Sequence, residues 1–207
     1  MKHRTEKRNW LQRFVKEWGI FTIFVLILGL SRLFLWSSVS VDGHSMDPTL
    51  ADKDLLLVVN HLPIDRNDIV VATETDENGK TKNIVKRVIG MPGDTITFYY
   101  DQLYINNKEV DEPYLDEYKK LFAQDKLQST YSYNKNFQAY AEKSAAFTTD
   151  QNGNASFTVK VPEGEYYLMG DDRIVSKDSR QVGTFKRSQI IGETKLRFWP
   201  LNHIRTF

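Results

Sequence analysis

"NIVKRVIG", residues 83–90, runs directly into "MPGD", residues 91–94. Aliphatic, largely β-branched residues followed by a Pro-Gly pair read as a β-strand closed by a tight turn. Along a strand, successive side chains point to opposite faces. Ile84, Lys86 and Val88 therefore share one face, and Val85, Arg87 and Ile89 share the other. Each basic residue has apolar neighbours on its own face. Packing either face into a core then takes a cation out of water, which strongly disfavours its charged form.

The rest of the chain after residue 36 follows the same pattern. "DLLLVVN" (54–60), "NDIVVAT" (67–73), "TITFYY" (95–100) and "QLYINNKEV" (102–110) read as strands or hairpin arms. So do "ASFTVKV" (155–161), "EYYLMG" (165–170) and "ETKLRFWP" (193–200). Turn signals separate them: Pro63, Asn78-Gly79, Asn106-Asn107 and "DQNGN" at 150–154. Many short strands at regular spacing predict a mostly β domain. Residues 114–146 depart from this pattern. "YLDEYKKLFAQDK" and "NFQAYAEKSAA" are polar, aromatic and partly helical in character, so the segment reads as an inserted cap or extended loop. On its own terms it could be a solvated decoration with no chemical role. There is no internal repeat.

The beginning of the chain is different again. Residues 1–17 carry Lys2, Arg4, Lys7, Arg8, Arg13 and Lys16 against Glu6 and Glu17, and "WGIFTIFVLILGLSRLFLW" follows at 18–36. That length suits a single transmembrane helix, and the basic flank predicts a cytoplasmic tail at 1–17 with everything after Trp36 outside. Arg32, about a turn from the outer end, can snorkel to water. A cleaved leader ending at "SVS" (38–40) is the alternative, but the apolar run is longer than a usual leader core. The 207 residues thus hold one anchor and one domain large enough to bury a core. The net charge of +1 gives no basic stripe for nucleic acid, and the absence of cysteine excludes disulfides, zinc–thiolate sites and cysteine nucleophiles.

Candidate chemistry begins with "GHSMDPTL" (43–50), a serine in a turn close behind the apolar run. Ser45 needs a base. The chain has four histidines: His3, on the cytoplasmic side, His44, His61 and His203. In an extended segment His44 points away from its neighbour Ser45. Lys86, if buried and neutral, is a competent base for a serine hydroxyl. "GDDRIVSKDSR" (170–180) is dense in small polar and paired charged residues. It misses the EF-hand spacing and reads either as a surface loop or as support for a site, with Asp178 paired to Arg180 and Ser176 beside them. No pattern in the chain calls for a metal or a cofactor.

In this order behind one anchor, "SMDPTL" (45–50), "NDIVVA" (67–72), "KRVIGMPGD" (86–94) and "GDDRIVSKDSR" (170–180) resemble the bacterial type I signal peptidases, of the Gram-positive type. The resemblance implies a bent antiparallel β-sheet catalytic domain formed by 37–113 and 147–207, with 114–146 as a small inserted region. It implies a membrane-bound serine endopeptidase without cofactors that cuts signal peptides from exported preproteins. Ser45 would be the nucleophile, Lys86 the general base, Ser176 a hydrogen-bond partner of the lysine amine, and Asp178 and Arg180 a supporting ion pair. Four positions depart from the family pattern; Asn67 and Ala72 look structural and change no role, and the other two lie at the site. Asp172 stands where asparagine is usual, adding a charge near the site or pairing with Arg173. Gly43 stands where some members have a serine, so no side-chain hydroxyl there reaches the oxyanion, and backbone N–H groups would take its place.

Three rivals share parts of this pattern. A self-cleaving Ser-Lys repressor would need a DNA-binding helix-turn-helix where the anchor stands. A pilus-assembly relative acting as a chaperone would lack Lys86. A tethered binding domain would need only the serine turn. "SVS" (38–40) and "SAA" (144–146) also carry small residues at the spacing such an enzyme prefers, which raises self-cleavage as an expectation.

Overall fold

The computed structural model describes residues 2–75 and 78–207. The chain divides into two units, Met1–Ser37 and Ser38–Phe207. The first is dominated by helix α1 (Lys2–Phe34). Its segment Gln12–Arg32, 21 residues with mean hydropathy 1.7, is long and apolar enough to cross a membrane. Ile20, Phe21, Phe24 and Leu26 are all exposed. A helix apolar on every face has no aqueous partner and suits lipid. The helix starts well before residue 18 and stops short of Trp36, whose carbonyl accepts from Arg32 Nη1 at 3.1 Å.

The second unit is mostly antiparallel β, as the strand pattern predicts. In chain order, β1 (Trp36–Ser40), β2 (Leu55–Asn60), β3 (Ile69–Thr75), β4 (Thr81–Gly90), β5 (Thr95–Tyr99), β6 (Gln102–Ile105) and β7 (Lys108–Val110) come first. Helices α2 (Asp116–Asp125) and α3 (Lys135–Lys143) interrupt them. Then follow β8 (Ser156–Lys160), β9 (Glu165–Met169), α4 (Ser179–Val182), β10 (Phe185–Lys186), β11 (Ile190–Trp199) and β12 (Arg205–Thr206). One sheet has the order β1-β2-β11-β3-β4-β9-β10, with β12 on β11; the other is β7-β6-β5-β8. The expected strands all form. The unexpected ones are β1, hidden at the end of the apolar run, and β10 and β12, each too short to show a period.

The opening stretch lies at the centre of this arrangement. β4 packs apolar residues into three clusters: Val85 with Met46, Leu50 and Leu56; Val88 with Val70 and Leu168; Ile89 with Ile96 and Phe98. Both faces are buried from Val85 to Gly90, where the alternation alone required only one. Register shifts in β4 at Val88/Gly90, and three along β11, mark the bulges that bend the large sheet.

The segment 114–146 is not a solvated loop. Leu115, Tyr118, Phe122, Leu127, Tyr131 and Ala141 bury themselves with Phe147, and Ile174 and Val175 pack against them. Tyr118 and Phe122 are one turn apart on α2, so both face this core. α3 starts at Asn134, whose side chain accepts from the N–H groups of Asn136 and Phe137. The fully buried Phe147 ring meets Tyr118 edge-on. Phe147→Ala is expected to destabilise the domain by about 3–5 kcal/mol, measured by urea unfolding.

Candidate active site

Lys86 and Ser45 meet although forty-one positions separate them. Lys86 lies on β4 opposite Val70 of β3 and is 3% exposed. Its Nζ donates to Ser45 Oγ at 2.6 Å. Burial pushes the amine down to about 8, while the carboxylates of Asp178 and Glu74 pull it upward. Ser45 is carried on a turn anchored in the core by Met46 and Leu50, both fully buried. Gly43, at φ +86°, enters that turn in a conformation that a side chain would strain, and its N–H donates to Asp52 Oδ1 at 2.7 Å. His44 turns elsewhere: its Nδ1 lies 2.9 Å from Asp47 Oδ2, and its ring rests against Tyr133.

The 170–180 loop closes the site from the other side, and its charges are bound one by one. Asp171 accepts from Arg87 Nε at 2.8 Å and Nη2 at 2.6 Å. Asp172 accepts from the Tyr131 hydroxyl at 2.7 Å. Arg173 donates to Glu112 at 2.5 Å. Asp178 accepts from Arg180 Nε and Nη2, both at 2.9 Å, and from the Gly170 N–H at 3.0 Å. Burial raises the Asp178 carboxyl, but Arg180 and the backbone donor overcome it and hold the group down at about 2. Asp178 also caps α4. A carboxylate fixed in this way keeps its charge facing Lys86 at all working pH values.

The structure thus brings Ser45 and Lys86 into contact and pairs Asp178 with Arg180. Ser176 differs from its expected part. It is 4% exposed, but its Oγ has no hydrogen-bond partner and makes no bond to the lysine amine. Its hydroxyl lies against Gly170 beside the Ser45 carbonyl. Asp172 does not pair with Arg173, because Glu112 occupies that guanidinium and Tyr131 reaches the carboxylate first. The sequence reading missed the Arg87–Asp171 pair, whose signal was the second buried cation in "KRVIG". It also missed Tyr131, for which no local signal exists.

A groove of about 600 Å³ has both Lys86 and Ser45 in its lining. Residues 38–42 and 82–86 of β4 line it too. β4 pairs with β9 from Arg87 to Gly90, so among the described residues the stretch from Thr81 to Lys86 has a strand partner on the β3 side alone. Glu74, held by Lys82 at 3.2 Å and Lys177 at 3.3 Å, lines the groove as well.

The family model described as signal peptidase, peptidase S26, matches residues 12–199. That makes the chain a peptidase. A signal peptidase I of Streptococcus pneumoniae is 60% identical over 206 residues, covering 96% of this chain and all of its own. Signal peptidase I of Bacillus amyloliquefaciens is 38% identical over 99% of this chain and 96% of its own, and signal peptidase I S of Bacillus subtilis is 39% identical over 92% of each. The chain belongs to the S26 signal peptidases, among the bacterial type I enzymes.

Gly170 is the tightest point of the site. A Cβ there would lie 2.2 Å from Ser176 Oγ and 2.3 Å from the Ser45 carbonyl oxygen, which is backbone and cannot swing aside. Gly170→Ala is expected to shift the Ser45 turn and reduce preprotein cleavage about 100-fold, the scale of loss for roughly 1 Å of misplacement, with a smaller effect on thermal stability.

Proposed function

We propose that this chain removes N-terminal signal peptides from exported preproteins with Ser45 as nucleophile and neutral Lys86 as general base. The observation that carries this reading is the 2.6 Å contact between a buried, depressed amine and the serine hydroxyl. Lys86 takes the Ser45 proton as Oγ attacks the scissile carbonyl, and the tetrahedral oxyanion forms. Backbone N–H groups, that of Ser45 first, stabilise the oxyanion, since Gly43 offers no side chain. The lysine then protonates the leaving amine, and water, activated by the same amine, hydrolyses the acyl-enzyme.

The half-paired edge of β4 supports binding of the cleavage region as an added extended strand between 82–86 and 38–42. In this reading, Asp178 and Arg180 hold the loop that keeps a fixed negative charge near Lys86. Ser176 fills space beside the Ser45 carbonyl. The helix Gln12–Arg32 supports a single-pass anchor in membrane lipid, and the basic residues before it support a cytoplasmic N-terminus with catalysis at the outer face. Tethering raises the effective concentration of a substrate that is itself held in the membrane.

Ser45→Ala and Lys86→Ala are each expected to abolish preprotein cleavage with circular dichroism unchanged; residual wild-type cleavage by Lys86→Ala would overturn the dyad. The pH dependence has a worked sign. Only neutral Lys86 accepts the proton, so kcat/KM rises with pH through about 8 and falls about tenfold per unit below it. For stability, a lysine depressed from 10.5 to about 8 binds fewer protons folded than unfolded between those values. Charged-lysine burial therefore opposes folding below pH 8, by roughly 3 kcal/mol, and this penalty fades as pH rises toward 10.5. Lys86→Met is accordingly expected to be inactive yet more heat-stable than wild type at pH 7, with the difference shrinking at pH 10.

A further inference from the structure

The inserted segment is linked to the nucleophile turn at two points, one through Asp172 and one directly at His44. Tyr131, fully buried, donates its hydroxyl to Asp172 Oδ1 at 2.7 Å. The N–H of Asp172 donates to the Ser45 carbonyl at 3.2 Å, and the Asp172 carbonyl accepts from the Ser176 N–H at 3.0 Å. One residue therefore joins the insert, through its side chain, to the backbone of the serine, through its amide. On the other side of Ser45, the His44 ring rests against Tyr133 at 5.1 Å and Phe137 at 6.0 Å between centroids.

We propose that Tyr131 and Asp172 are positioning residues, through which the inserted segment clamps the Ser45 turn in register with Lys86. The clamp rests on the reading of Ser45 as nucleophile. It answers two questions that the sequence leaves open: what Asp172 does where asparagine is usual, and what 114–146 contributes.

Stability alone is a poor reason for this pair. Asp172 is fully buried, and its second carboxylate oxygen, Oδ2, has no partner. Burial pushes its carboxyl up to about 7, with the nearby Asp47 charge adding to the rise and the Tyr131 bond opposing it. An incompletely satisfied buried carboxyl is costly, and an apolar pair of similar volume would pack at least as favourably. A directional bond fixes the orientation of two segments, which an apolar contact does not. The bond also acts where displacement matters most, because the Ser45 backbone sets both the aim of Oγ and the N–H offered to the oxyanion.

The test uses the full chain in detergent micelles with a preprotein substrate. Tyr131→Phe is expected to lower kcat about tenfold while KM stays within twofold. Asp172→Asn keeps an acceptor for the Tyr131 hydroxyl and is expected to retain at least half of the wild-type kcat. The double variant Tyr131→Phe/Asp172→Asn removes the clamp without stranding a buried carboxylate. It is expected to regain thermal stability while kcat stays low. Wild-type kcat in Tyr131→Phe, or recovery of kcat together with melting temperature in the double variant, would show a merely structural pair and overturn the clamp. Ser45→Ala run alongside separates the two levels: activity surviving that change rejects the nucleophile itself, whereas its loss leaves the clamp to be judged on Tyr131 and Asp172.

Discussion

The catalytic unit is organised around one costly placement, a lysine amine buried beneath a serine turn. Lys86 is almost wholly buried in the middle of β4, so its charged form is penalised and its amine sits near 8 rather than 10.5. In the proposed mechanism, that penalty is what lets an ordinary cation serve as a base. It must be met by neighbours that do not simply neutralise it. Asp178 is close enough to pull the amine upward, yet Arg180 and the Gly170 N–H occupy its oxygens. A free carboxylate bonded directly to Lys86 would restore the charge and remove the base.

Around this contact, the 170–180 loop spends its charges on separate, distant anchors. Asp171 reaches Arg87 on β4, Asp172 reaches Tyr131 in the inserted segment, and Arg173 reaches Glu112 just before it. Each pair is buried, and loss of one partner would leave the other stranded, typically at 3–5 kcal/mol for an ion pair. The loop is thereby fixed to three parts of the fold at once. The groove, by contrast, lies beside a stretch of β4 that has no strand partner on its β9 side among the described residues, and the groove charges Lys82 and Lys177 are largely exposed.

How much of this was legible in the sequence follows from range. The strands of the β domain could be read because alternation and turn residues are local signals, and Lys86 stood out because a cation in an apolar strand is a local anomaly. The Asp178–Arg180 pair lies two positions apart and was equally readable. The Arg87–Asp171 and Tyr131–Asp172 contacts span 84 and 41 positions, and nothing in either segment names its partner. Ser176 shows the converse limit: the family resemblance implied a bond to the amine, but its hydroxyl lies against Gly170 near the Ser45 carbonyl and has no hydrogen-bond partner. The two faces of β4 misled in a similar way. Period-2 alternation predicts one buried face, and a central strand between several clusters buries both.

The central claim is that Lys86 is neutral enough at working pH to accept a proton. Its most direct test is an NMR titration of the Lys86 side-chain amine in the full chain, assigned by its disappearance in Lys86→Met. The account predicts a midpoint of about 8. A midpoint at the ordinary lysine value of 10.5 would contradict it.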